Sequence, residues 1–263
     1  ARYEYGASLA SDALLAAYDG LAEGVNELEI GNLLNRDGQY QSVVTIAAFG
    51  DRFVNANIYP RSRNLDKGDK VSLTVGYKGG LSSRAGYAVE DIEELEKVDP
   101  GYLEDVVIPY FKAYVYWLEN VRIGKLGGEF YDDFSKFYPQ ETYGWQLNPG
   151  HLTADEEWLS SPFYKGSYRE VKSGMIFQVD FIPSQEGHQG VSAESTVAIA
   201  DEALRREIEE KYPEMWARIK KRRLYIKEKL NIDLDPSLLP LASTLAYLRP
   251  FMLDKDTALV IED

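Results

Sequence analysis

The 263-residue chain contains no cysteine and only 2 histidines. The first absence removes any disulfide framework and any thiolate-based metal or catalytic site. The second leaves too few imidazoles for a nitrogen-rich metal centre. No apolar run approaches the roughly 18 residues that cross a bilayer, and no secretory hydrophobic segment opens the chain. Basic residues are in the minority: 29 Lys and Arg stand against 43 Asp and Glu, for a formal net charge of −14. That balance opposes nucleic acid or an anionic membrane as partner. With no cysteine framework and no targeting segment, cytoplasmic residence is the expectation.

The rest of the composition is that of a globular protein, 44% hydrophobic and 27% charged, on a chain long enough to bury a sizeable core. Leu9, Ala13, Leu14 and Tyr18 fall at helical spacing and predict a helix over 9–21, followed by a short one over 27–34. Ser42 to Phe49 predicts a buried strand, and 70–77 with 85–89 predict a hairpin turning at Lys78-Gly79-Gly80. Val107, Tyr110, Phe111, Tyr114 and Leu118 form one stripe of a helix over 104–122, a core face. Another helix is expected over 129–137. A long charged helical stretch runs over 200–230 with Trp216, Ile219 and Leu224 inward, and the tail closes on a strand-like Ala258 to Ile261. The segment 143–168 is irregular and holds Trp145, His151, Trp158, Phe163, Tyr164 and Tyr168. Such rings either wall a pocket for a small amphipathic ligand or pin a loop or dimer surface.

Two stretches carry the chemistry. Ser173-Gly-Met-Ile-Phe-Gln-Val-Asp-Phe-Ile-Pro183 and Val191-Ser-Ala-Glu-Ser-Thr-Val-Ala-Ile199 each read as a buried strand bearing one acid, Asp180 and Glu194. A carboxylate among apolar neighbours is costly unless it meets a cation or a donor. Two on adjacent strands point to a site; the alternative is that each acid closes an internal hydrogen-bond network.

The same stretches resemble the closing strands of the pita-bread metallopeptidase family, which includes methionine aminopeptidases, aminopeptidase P, prolidase and creatinase. Gly174-Met175, Phe177 and Asp180 match that family's Gly-Met-x-Phe-x-x-Glu-Pro, with Asp for Glu, and Glu194 with Thr196-Val197 match its second strand. Upstream, Glu23 to Glu29 is similar to its turn between the first two helices, and Tyr59 to Val71 to its approach to the first metal strand. The resemblance implies an α/β (α+β) fold: a single domain over 1–263, with a curved antiparallel sheet flanked by helices in pseudo-two-fold halves. It also implies that an N-terminal domain of the creatinase or prolidase type precedes Ala1, and a homodimer.

Active members of the family hold two divalent ions with two Asp, one His and two Glu. Here the resemblance puts Thr74 at the first Asp and Arg84, or the residue next to it, at the second. It puts Trp145 near the ligand His, His151 at a second His, and Asn57 at a substrate-facing His. No di-metal centre and no cofactor is therefore expected. Asp180 and Glu194 remain, with His151 as the proton-transfer group. His188, in Glu186-Gly187-His188-Gln189, reads as an exposed loop residue, although the two histidines with the two acids would suffice for a weak mononuclear site. The guanidinium of Arg84 is expected to point into the former metal cavity and to pair with Asp180 or Glu194. Arg84, Asn57, Thr74 and Trp145 are then the substrate-contacting set. Three functions compete: a metal-free hydrolase in the manner of creatinase, acting on a small amino-acid-like or peptide ligand; a non-catalytic protein that kept the cleft for a ligand; and an active Xaa-Pro-type metallopeptidase with a different ligand set.

Overall fold

The computed structural model describes residues 1–55, 58–153 and 160–262. The N-terminal half runs α1 (Arg2–Asp19), α2 (Glu27–Leu33), β1 (Ile46–Phe49), β2 (Lys70–Tyr77) and β3 (Gly80–Tyr87). After α3 (Ile92–Val98), a π turn over Leu103–Val107 leads into α4 (Ile108–Asn120). There follow α5 (Gly127–Phe137), α6 (Gln140–Tyr143), β4 (His151–Leu152), β5 (Ile176–Gln178) and β6 (Thr196–Ile199). The chain closes with α7 (Glu202–Lys211), α8 (Pro213–Leu230) and β7 (Leu238–Pro240).

Two antiparallel sheets result, ordered β1-β2-β3 and β4-β5-β6-β7. They join where β3 meets the segment before β6: Ala85 bridges Ser192, and the Ser83 amide donates to the Glu194 carbonyl at 3.2 Å. This junction brings the acid-bearing segment against β3 and so creates the site.

The two halves share one plan, two helices and then three strands, with the four-residue α6 added between helices and strands in the second. The repeat reaches single residues. Gly24 (φ +83°) and Gly124 (φ +86°) make the same left-handed turn before α2 and α5, where a side chain would be strained. Gly68 (φ +86°) and Gly174 (φ +91°) turn the chain just before β2 and β5. The turn before each second helix is tied by an isolated bridge, Asn26 to Asn64 and Leu126 to Glu170.

Each half has its own apolar core. Leu14, Tyr18, Ile30, Phe49, Leu73 and Val75 pack in the first. In the second, Tyr110, Tyr114, Trp117 and Leu118 of α4 meet Phe130, Phe134, Phe163, Phe177 and Phe181. The α4 stripe expected from spacing is thus core.

Several elements depart from the sequence reading. The helical stretch over 200–230 is two helices, because Pro213 has no amide to donate and holds Tyr212 out of helical geometry (φ −135°, ψ 60°). Leu224 is 54% exposed while Ile219 and Ile226 are buried; it falls off the inward stripe of α8. The hairpin strand β3 begins at Gly80 and not at 85, since the turn is tight and the strand is rich in small polar residues. Residues 258–261 form no strand; Leu259 and Ile261 instead donate singly to the carbonyls of Leu248 and Leu230.

Candidate functional site

The segments after β5 and before β6 carry Asp180 and Glu194 just beyond the paired strands. Opposite them, β4 pairs with β5 so that His151 faces Gln178. Side chains two residues apart on an extended segment share a face, which puts His151, Gln178 and Asp180 on one side. The His151 Nε2 atom lies 3.7 Å from Asp180 Oδ2 and 3.7 Å from Glu194 Oε1. Both carboxylates are buried. Three residues distant in sequence therefore converge.

Electrostatics follow from that burial. The Asp180 carboxyl is pushed up to about 8, first by burial and then by the charge of Glu194, with His151 opposing. Burial and the neighbouring charge thus both favour its protonated form. Burial pulls the His151 imidazole down, but the hydrogen bond and charge of Glu194, with the Leu152 carbonyl and Asp180, outweigh it and raise its pKa. His151 Nδ1 lies 2.9 Å from the Leu152 carbonyl. The proton on Nδ1 is thus held by the backbone, and Nε2 is turned to the acids.

The donor set also fits one divalent cation. His151, Asp180 and Glu194 each offer one ligand atom, all within 4.8 Å of one another. Two metal–ligand bonds of about 2.1 Å each span a comparable distance. A backbone-held Nδ1 is the usual support of a metal-ligating imidazole.

Beside the acids runs a chain of hydroxyls. Thr74 of β2 faces Ser83 of β3 in register, and Thr74 Oγ1 donates to Ser83 Oγ at 2.9 Å. Ser192 Oγ donates to Ser83 Oγ at 3.2 Å. Gln178 is fully buried; its carbonyl oxygen accepts from Thr196, while its Nε2 has no hydrogen-bond partner among the described residues. Thr153 Oγ1, just past the end of β4, is likewise unpartnered among the described residues. Buried polar atoms without partners are uncommon, and here one lies at the end of β5, two residues before Asp180, and the other follows β4, two residues after His151.

Two expected contact residues have other roles. Arg84 does not pair with either carboxylate. Its guanidinium is fully buried and donates to four backbone carbonyls, those of Ser83, Glu194, Thr244 and Tyr247. Its donors are committed to tying β3, the Glu194 segment and the 244–247 turn together. Trp145 is fully buried, its indole donating to the Tyr138 carbonyl at 2.8 Å and its ring packed edge-on against Phe134. Thr74 is buried and bonded to Ser83, whereas Asn57 and Trp158 lie outside the described residues.

His188 is no exposed loop residue. Its Nδ1 sits 2.6 Å from Asp99 Oδ1, and Asp99 also accepts from Tyr87. This cluster pins the 184–191 loop beside α3, apart from the His151 site. Sequence reading missed Ser83, Ser192 and Gln178. Only the cross-strand register, which a single sequence does not print, aligns them with the acids.

No protein-family model matches the sequence, and no curated protein matches it. Solved structures do resemble the chain. They include a Xaa-Pro dipeptidase from Bacillus anthracis (20% identity, TM-score 0.59, covering 75% of this chain and 56% of that one). A prolidase from Pyrococcus horikoshii gives 19% identity and TM-score 0.59, with coverages of 75% and 58%. An X-Pro aminopeptidase from Thermotoga maritima gives 17% identity and TM-score 0.58, with coverages of 75% and 56%. The chain spans a little over half the length of these structures. At such identities the likeness concerns the backbone alone, and on that ground the chain has the pita-bread fold of the prolidases and aminopeptidase P.

Proposed function

We propose that the chain is a peptidase-like hydrolase without a two-metal centre. His151, Asp180 and Glu194 form its reactive site, and a small amino-acid-like or short peptide molecule is its ligand. The observation that carries this reading is the position of His151 Nε2 at 3.7 Å from each of two buried carboxylates. Three groups in that arrangement share protons, and a group that titrates near neutrality serves as general acid or base. Asp180, held protonated by burial, supplies a proton to a leaving amine or a developing oxyanion. His151 and Glu194 orient and deprotonate an attacking water. Thr74, Ser83 and Ser192 contribute neutral hydroxyls, suited to holding polar groups of the ligand and not to neutralising a second cation.

A second reading is favoured by the mutual distance of the three ligand atoms. In it the same residues hold one divalent ion. Such an ion supplies Lewis acidity and a more acidic bound water, while the chain's own residues keep the roles of positioning and proton transfer.

Turnover of a panel of dipeptides and tripeptides, Xaa-Pro members included, by chelator-treated protein tests the first reading. The expected result is hydrolysis that survives chelation and is lost in Asp180→Asn and Glu194→Gln. Hydrolysis only on restoring two equivalents of metal, or none by the wild type, would overturn it. One equivalent of Mn or Zn retained after desalting, and lost in His151→Ala, would establish the second reading in its place.

A further inference from the structure

A cleft lies away from the acid site. It opens between α1, α8 and the segment 242–247, with a volume of about 550 Å³, inside the range of small-molecule sites. Its charge is opposite to that of the chain. Arg218, Lys221 and Arg222 line it, and no carboxylate does, although acids outnumber bases 43 to 29 over the whole sequence.

These cations are not equivalent. Arg222 is committed: its guanidinium reaches Glu4, Ser8 and Ser243. Arg218 gives Nε and one terminal nitrogen to Glu4. Lys221 has no ion-pair partner among the described residues. The rim therefore presents one uncommitted ammonium beside a partly used guanidinium. The lining also has an apolar part, made by Leu15 of α1 with Ile226 and the ring of Tyr225 one turn along α8 from Lys221 and Arg222. Tyr225 is 41% exposed and its ring borders the cleft, a surface that costs little conformational entropy to use for contact.

We propose that this cleft binds a small amphipathic carboxylate, its apolar body against Leu15, Tyr225 and Ile226 and its anionic end at Lys221 and Arg218. A neutral analogue lacks the ionic contact, and a bare inorganic anion lacks the apolar one. The site is independent of the reading of the acid cluster, because it uses none of those residues.

The test uses the full chain and calorimetric titration with 4-phenylbutyrate, with 4-phenylbutanamide as the uncharged control. The expected result is saturable one-to-one binding of the acid, weaker binding of the amide by about tenfold, and weakening by salt. Lys221→Gln is expected to cost about tenfold for the acid and little for the amide, and Tyr225→Ala to weaken both. Both positions are exposed, so an unchanged thermal midpoint verifies that the variants fold. Absence of saturable binding to the wild type would overturn the proposal. So would equal affinity for acid and amide, or binding indifferent to both substitutions.

Discussion

At the scale of single residues, Asp180 concentrates the physics of the site. A carboxyl whose pKa is pushed up to about 8 when folded, against 3.8 as its ordinary value, binds its proton more tightly in the folded state. Its contribution is fully present below the ordinary value and is lost as pH rises through about 8. His151, also raised, acts in the same direction. Denaturant unfolding between pH 4 and 8 should therefore show this contribution declining with pH. Asp180→Asn should flatten the decline and leave the variant more stable than the wild type at pH 8. A wild-type profile rising over this window, or an unchanged profile in the variant, would contradict the assignment. Both acids were legible in the sequence, because a charge inside an apolar strand is conspicuous. The role of Arg84 was not. A guanidinium satisfies carboxylates and backbone carbonyls alike, and only the path of the 244–247 turn decides between them.

At the scale of elements, Arg84 acts as a tie. It joins β3, the segment before β6 and the turn after β7 through four carbonyls, and nearby Thr244 accepts or donates to Ser82 and Ser195. A buried carbonyl left without a donor costs about 1–3 kcal/mol. Arg84→Met orphans several at once and should lower unfolding stability by roughly 3 kcal/mol or more. A loss below about 1 kcal/mol in chemical denaturation would show that the tie is dispensable. Most helices were readable from their stripes, α4 above all, since aromatic and aliphatic residues recur on one face. Strand ends were less so. β5 and β6 stop short of Asp180 and Glu194 because the backbone leaves regular pairing where the acids turn toward His151. Trp145 was misread for a related reason: a Trp in an irregular segment looks the same in sequence whether it walls a pocket or fills a core.

At the scale of the whole molecule, two similar halves meet at β3 and the segment before β6, and the acid cluster stands at that seam. The paired glycines, Gly24 with Gly124 and Gly68 with Gly174, carry the repeat where the side chains have diverged. The backbone likeness to solved structures holds at sequence identities near 20%. Function is less portable than backbone. Among the described residues the His151, Asp180 and Glu194 cluster draws all three of its members from the second half.

The central claim is that Glu194 and Asp180 act on His151 as one proton-sharing unit, and nuclear magnetic resonance titration of the imidazole tests it most directly. The sequence has only 2 histidines, so two ring signals are followed, and His151→Ala assigns them. The account predicts that His151 titrates above its ordinary value of 6.5 and that Glu194→Gln lowers it. Titration of His151 at or below 6.5, unmoved by Glu194→Gln, would contradict the account.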